Sequence, residues 1–242
     1  MFWTGDWIGM GTHKNNMNMK KISLLAVAIL VTGSAAFSQT KTTTASTTIG
    51  TTKFGLKAGV NLAKYSFGKD DAKNPTSDQI TNLHITGYAD IPVGSMFSVQ
   101  PGLSLQGKGG EFKDAISTTK QNTMWLEIPV NLVGKIPMGA SGTNLFIGAG
   151  PYAAFGIAGE NETTINATGN TGTSKVKFGN DSGDSLKGID FGINALAGVQ
   201  LTNGFNLGAG YGLGLTDLFP NGTGGNGQQT NRVLSFSVGF AF

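Results

Sequence analysis

From Lys53 to the C-terminus, apolar and polar residues alternate with a period of two, and no helical periodicity appears. Eight segments carry this pattern. In the first, Phe54, Leu56, Ala58, Val60 and Leu62 share one face, and Gly55, Lys57, Gly59 and Asn61 share the other. The second, over 81–91, sets Leu83, Ile85, Ala89 and Ile91 against His84, Thr86, Tyr88 and Asp90. The third sets Phe97, Val99, Leu103 and Leu105 against Ser98, Gln100, Ser104, Gln106 and Lys108. The fourth sets Met124, Leu126, Ile128, Val130 and Leu132 against Trp125, Glu127 and Asn131. The fifth (145–157), sixth (189–201) and seventh (205–215) repeat the rule, with Tyr152, Asp190 and Asn194 among their polar positions. The last sets Leu234, Phe236, Val238, Phe240 and Phe242 against Ser235, Ser237, Gly239 and Ala241.

These segments are mostly ten residues or longer. A strand in a soluble protein usually has about five or six residues, whereas one that crosses a bilayer needs about 9–11. The polar face is crowded with Gly, Ser and Asn, which suits the inside of a narrow barrel, where opposing side chains meet. The connections alternate long and short. Long ones are expected at 67–80, 109–120, 159–185 and 217–231, and short ones at 92–95, 137–142 and 202–204, the last with an Asn-Gly turn. Short turns at one end and long loops at the other are the habit of outer-membrane barrels. The expected fold is therefore all-β: a closed, eight-stranded, antiparallel, up-and-down transmembrane β-barrel over residues 53–242.

The N-terminal residues read differently. Met19-Lys20-Lys21 precedes a ten-residue apolar run ending at Val31, and Ala36-Phe37-Ser38 fits a cleavage site. Residues 19–38 are thus expected to be a signal peptide, cleaved before Gln39, with 1–18 a spurious extension and 39–52 a flexible Thr-rich leader. The apolar run is too short to span a bilayer as a helix.

Composition narrows the function classes. Charged residues make up 13% of the chain, about half the usual share. The 38 glycines lack the three-residue period of collagen. With no cysteine, disulfides, thiolate metal sites and cysteine nucleophiles drop out. A net charge of +3 with a single arginine, Arg232, argues against nucleic acid as a partner.

Several stretches, in order, resemble the PorT-like family of outer-membrane β-barrels. They are Phe54-Gly-Leu-Lys-Ala-Gly-Val-Asn-Leu, the run from Ser98 to Gly110, Trp125-Leu-Glu-Ile-Pro-Val, Gly148-Ala-Gly-Pro-Tyr, Ile189-Asp-Phe-Gly, Tyr211-Gly-Leu-Gly-Leu-Thr-Asp and the terminal strand ending in Phe. The resemblance spans Lys53 to Phe242. It implies an eight-stranded barrel in the outer membrane and no particular activity, although one branch of the family is associated with protein secretion and gliding.

The candidate site residues follow from the face assignment. Lys57, Lys108, Glu127 and Asp190 should point into the lumen, with His84 and Asp90 near them. Isolated buried charges are costly, so they should pair, with Lys108 meeting Glu127 or Asp190 and the network plugging the lumen. A proton or ion pathway is the sharper alternative. Phe236, Val238, Phe240 and Phe242 form an expected assembly signal, read by the barrel-insertion machinery through strand pairing. Catalysis has thin support: His84 is the only histidine beyond the N-terminal segment, and no Ser or acid lies at a recognisable spacing from it. Asp70-Asp71 and Asp181 with Asp184 lack the spacing of a Ca²⁺ loop. The Asn-x-Thr triplets at Asn161, Asn166 and Asn221 are read as incidental. Trp125 and Tyr65 are candidate interfacial anchors, although Trp125 shares the inward face with Glu127.

No cofactor and no metal is expected. The expected partners are outer-membrane lipid, the insertion machinery and an unknown protein at the surface loops, above all 159–185. The leading reading is a structural or interaction barrel without enzymatic activity. A small pore, a lipid-modifying enzyme using His84 and a soluble barrel with an apolar ligand are its rivals. Eight strands are too few for an aqueous channel of the wide kind, and the polar lumen face argues against an apolar ligand.

Overall fold

The computed structural model describes residues 50–68, 77–139, 142–221 and 228–242. The expected signal peptide and extension, most of the leader and the Asp70-Asp71 pair lie outside them. Among the described residues ten strands are present: β1 (Lys53–Phe67), β2 (Ser77–Asp78), β3 (Ile80–Pro92), β4 (Phe97–Lys113), β5 (Ser117–Met138), β6 (Thr143–Ile165), β7 (Thr171–Lys175), β8 (Ile189–Gln200), β9 (Phe205–Gly214) and β10 (Gln229–Ala241).

Eight of them form a ring. Going round it, β4, β3, β1, β10, β9, β8, β6 and β5 pair in turn, and β4 then pairs with β5. Every pairing between these strands is antiparallel. The first and last strands zip together from end to end, and Phe242 exchanges backbone hydrogen bonds with Phe54 at 2.8 and 3.1 Å. The two short strands lie off the ring: β2 pairs with β4, and β7 with β6.

The alternation sets which face looks inward. Leu56, Val60, Leu83, Ile85, Ile128, Leu207, Phe236 and Val238 are exposed on the outer face. Asn61, Thr86, Ser104, Lys108, Glu127, Asn131, Asp190 and Asn231 are buried on the inner one. This arrangement inverts that of a water-soluble domain, where large apolar side chains leave the solvent. Glycines on the inner face make room for rings. Gly192 sits across the ladder from Tyr152, and a Cβ on it would meet that ring at 2.5 Å.

The connections differ from expectation at one end. At the other end, the connections are short as expected: β3 ends at Pro92 and β4 starts at Phe97, β5 ends at Met138 and β6 starts at Thr143, and β8 ends at Gln200 and β9 starts at Phe205. Gly204 takes the left-handed conformation, φ 94°, that its turn requires. The expected long loop at 109–120 is absent: β4 runs on to Lys113, β5 starts at Ser117, and only residues 114–116 turn. The expected loop at 159–185 is also partly sheet, since β6 extends to Ile165 and β7 pairs back on it.

At 22 and 23 residues, β5 and β6 are about twice the length a bilayer requires. Their far ends, with β2, β4 and β7, form a ribbon beyond the apolar belt. Its residues escape the apolar alternation because both ribbon faces are polar: Thr118, Lys120 and Asn122 pair with Thr164, Glu162 and Glu160. A register shift between Met124 and Trp125 also interrupts the pattern. Trp125 pairs with Gly156 and Met124 with Ala158, so Ile157 is an extra residue on β6. Beyond it, the outward positions of β6 change from odd to even.

Candidate functional site: the lumen

Lys108 on β4, Glu127 on β5 and Asp190 on β8 come together inside the ring. Lys108 Nζ lies 2.9 Å from Glu127 Oε2 and 3.3 Å from Asp190 Oδ2. All three side chains are almost fully buried. Neutral donors complete the cluster. Tyr152 Oη donates to Asp190 Oδ2 at 3.1 Å, Asn231 Nδ2 donates to the same oxygen at 2.8 Å, and Asn194 Nδ2 donates to Glu127 Oε1 at 3.0 Å. The ammonium also lies 4.4 Å from the centre of the Tyr152 ring and 5.7 Å from that of Trp125. One buried oxygen, Asp190 Oδ1, has no protein partner. Two carboxylates around one ammonium tie three strands across the lumen. Such a cluster holds because each charge has both a counter-charge and hydrogen bonds.

Lys57 stays outside this cluster. Among the described residues it has no carboxylate within 4 Å; its ammonium lies 5.9 Å from the Tyr88 ring centre. His84 is buried, and its Nδ1 has no partner. Near the short-turn end, Asp90 pairs with Lys135 and accepts from Gln100 Nε2 at 3.2 Å. Lys57, His84, Tyr88, Asp90, Lys135 and Asn206 help line a cavity of about 90 Å³ on that side of the cluster.

The other end of the lumen is apolar. Trp125, Tyr65 and Tyr152 pack with Val176, Leu186 and Leu218, and Phe67, Phe112 and Phe178 lie against them. Tyr65 is therefore not an interfacial anchor: its ring stacks on Phe112, 5.9 Å between centres, and its hydroxyl donates to Gln121 Oε1 at 2.7 Å. Trp125 is fully buried, with its indole N–H donating to Thr123 Oγ1 at 2.9 Å and its ring edge-on to Phe178 at 5.2 Å. The polypeptide 166–188 folds inward to deliver Val176, Phe178 and Leu186. Backbone bonds anchor it: Val176 N–H to Gly159 O at 2.9 Å, Gly156 N–H to Gly188 O at 2.9 Å and Lys187 N–H to Leu218 O at 2.8 Å.

Sequence reasoning did not single out Tyr152, Asn194 and Asn231 as partners of the acids, nor Lys135 as the partner of Asp90. Each sits at an inward position of its strand, but an uncharged side chain or a residue near a strand end carries little signal alone. Among the described residues, no three His, Cys, Asp or Glu side chains could together hold a metal ion. Phe236, Val238 and Phe240 are exposed on the outer face of β10, and Phe242 follows at its end.

Solved outer-membrane structures share similarity with the chain. Ail, the attachment invasion locus protein of Yersinia pestis, is 12% identical, with 78% of this chain and 98% of that one covered and a TM-score of 0.39. Neisserial surface protein A is 14% identical, with 78% and 97% covered and a TM-score of 0.41. OprG from Pseudomonas aeruginosa is 16% identical, with 78% and 95% covered and a TM-score of 0.41. No curated protein matches. The profile of the family described as outer membrane protein beta-barrel domain matches residues 37–220. The chain, with its apolar outer face and polar lumen, belongs to that family and is an outer-membrane protein.

Proposed function

We propose that the chain is a closed, up-and-down transmembrane barrel with a blocked lumen, serving as a structural or interaction protein rather than as a channel or an enzyme. The buried contact of Lys108 with Glu127 and Asp190 carries this reading. An ion crossing the lumen would have to part a charge cluster and then displace the aromatic layer above it. The motifs quoted above resemble those of PorT-like members, and a link to secretion or surface assembly would follow from that resemblance.

The end with the short hairpins would face the periplasm and the ribbon the cell exterior, as in other outer-membrane barrels. The ribbon around 114–116 and the segment 166–175 would then be the surfaces a protein partner meets. Phe236, Val238, Phe240 and Phe242 would be read by the insertion machinery during assembly. His84 has no serine or carboxylate hydrogen-bonded to it among the described residues, which supports a structural role for it.

Planar-bilayer recording from the purified full chain tests the blocked lumen. Silence, or only rare brief openings, is expected; a steady open current would overturn the proposal. The cavity of about 90 Å³ below the cluster favours a small pore as the second reading. In that case a Lys108→Met variant would change the unitary conductance of a channel already open in the wild type.

A further inference from the structure

Just above the apolar belt, two cations stand side by side on the outer face of the ring. Lys64 on β1 and Arg232 on β10 are direct cross-strand partners. The next pair toward the short-turn end is Leu62 with Leu234, on the same face, followed by Val60 with Phe236. The cations therefore sit about 7 Å beyond the last apolar pair. On the other side of Arg232 its cross-strand partner is Leu213, with exposed Leu215 beyond, so the guanidinium stands at the edge of the apolar face and not clear of it.

On the same side of the molecule Lys175 and Lys177, like these two, lack a carboxylate within 4 Å among the described residues, but only Lys64 and Arg232 are cross-strand partners on the ring. Lys113 and Lys120 each have a carboxylate of Glu111 within 4 Å, and Lys187 has Asp217. Among the described residues, neither Lys64 nor Arg232 has one. Arg232 is also held in place: its Nη1 donates to Gly214 O and to Asn231 O, each at 2.8 Å. That leaves the other guanidinium nitrogens to meet a ligand. The pair beyond is Ser66 with Thr230; the Thr230 hydroxyl already donates to Ser66 O at 3.3 Å, which leaves the Ser66 hydroxyl on that face.

We propose that the β1–β10 seam binds the phosphate-bearing headgroup of a membrane lipid, with Lys64 and Arg232 as its cationic contacts. The acyl chains of that lipid would lie on Leu62, Leu234, Val60 and Phe236 below. Two cations over a continuous apolar strip match a ligand that is anionic at one end and apolar at the other. A guanidinium and an ammonium side by side can share one phosphate, and charge-assisted bonds of this kind are the stronger ones. This inference rests on the bilayer-embedded reading above.

The test uses the full chain refolded into phosphatidylcholine vesicles with and without phosphatidic acid. Lipid retained after detergent extraction is counted by native mass spectrometry. Selective retention of phosphatidic acid is expected. The Lys64→Gln/Arg232→Gln variant should weaken it by about thirtyfold, from two cations near an anionic surface. A Lys113→Gln/Lys120→Gln control should retain it fully. If the double variant folds poorly, Lys64→Gln alone should weaken retention by about fivefold, and Arg232→Lys should preserve most of it.

Equal retention by the seam variant and the wild type would overturn the proposal. So would complete displacement by inorganic phosphate at matched concentration, since that would mark a free-phosphate site. Heat-modifiable gel mobility in pure phosphatidylcholine reports insertion separately. Failure there would strike at the bilayer reading itself, and the headgroup site would fall with it.

Discussion

Lys108 on β4 and Asp190 on β8 meet in the lumen, 3.3 Å from Nζ to Oδ2, although β4 and β8 are not neighbours in the ring. The ladder alone does not bring them together. Side chains from across the interior must reach one another, which is possible only in a narrow lumen with small residues nearby.

Removing the ammonium should be costly. Lys108→Met leaves Glu127 and Asp190 buried without their counter-charge, at an expected loss of about 3–5 kcal/mol. The triple variant Lys108→Met/Glu127→Gln/Asp190→Asn removes all three charges and should recover most of that loss. Urea unfolding in vesicles, followed by heat-modifiable mobility, measures both. If the single and triple variants unfold at the same midpoint, the cluster is not acting as one electrostatic unit.

Val60 and Asn61 are adjacent in sequence and opposite in environment: Val60 is 38% exposed and Asn61 fully buried. Val60→Lys should put a charge against hydrocarbon at an expected cost of about 2–4 kcal/mol near the midplane. Asn61→Lys avoids hydrocarbon, but it buries an ammonium in the lumen and gives up the bonds from Nδ2 to Gln106 Oε1 at 2.7 Å and to Gly107 O at 2.9 Å, so its cost falls on folding of the closed ring rather than on lipid transfer. The two variants should therefore fail at different steps, Val60→Lys in insertion and Asn61→Lys already in refolding in detergent. Equal insertion yields in vesicles, each taken relative to refolding in detergent, would contradict the face assignment.

That contrast also marks what the sequence makes legible. The period of two sorts Val60 from Asn61 and Phe236 from Ser237, and strand length points to a bilayer. The inward charges are readable too, because Lys108, Glu127 and Asp190 all fall on polar positions. Their pairing is not, since it depends on how strands are staggered across the ring. Lys57 shares the inward face, yet its ammonium lies near Tyr88 instead. The ribbon is hidden for a different reason. Thr118 to Asn122 and Glu160 to Thr164 form a regular ladder in water, so no apolar face betrays it. The extra residue at Ile157 then reverses the parity of β6 and makes the segment look irregular.

Gly156 carries no side chain because Phe178 occupies that space. A Cβ there would collide with the Phe178 ring. Gly156→Ala should push the ring off the Trp125 edge and loosen the segment 166–188 that closes one end of the lumen. Overpacking of this kind costs about 1–3 kcal/mol. Faster protease cleavage within 166–188 is expected, together with a change in near-ultraviolet circular dichroism, while the barrel keeps its heat-modifiable mobility. In a Phe178→Ala background the alanine should add little further effect. A full additive effect there would show that the collision is with something else.

Asp114 at the tip of the β4–β5 hairpin accepts from the backbone N–H groups of Ser117 and Ile116, each at 2.7 Å to Oδ1. These bonds favour the carboxylate, so the carboxyl ionises below the usual aspartate range. A lowered value in the folded state means that the tip gains stability from ionised Asp114 above the unfolded aspartate value of about 3.9. The gain fades as pH falls through the folded value. Amide resonances of Ile116 and Ser117 should stay constant down to about pH 4 and shift below it, with faster hydrogen exchange at the tip on the acid side. Asp114→Asn keeps a neutral acceptor and should remove this pH dependence while leaving the ring intact. Resonances that already titrate at or above the ordinary aspartate value would mean that the two backbone bonds do not hold the carboxylate in solution.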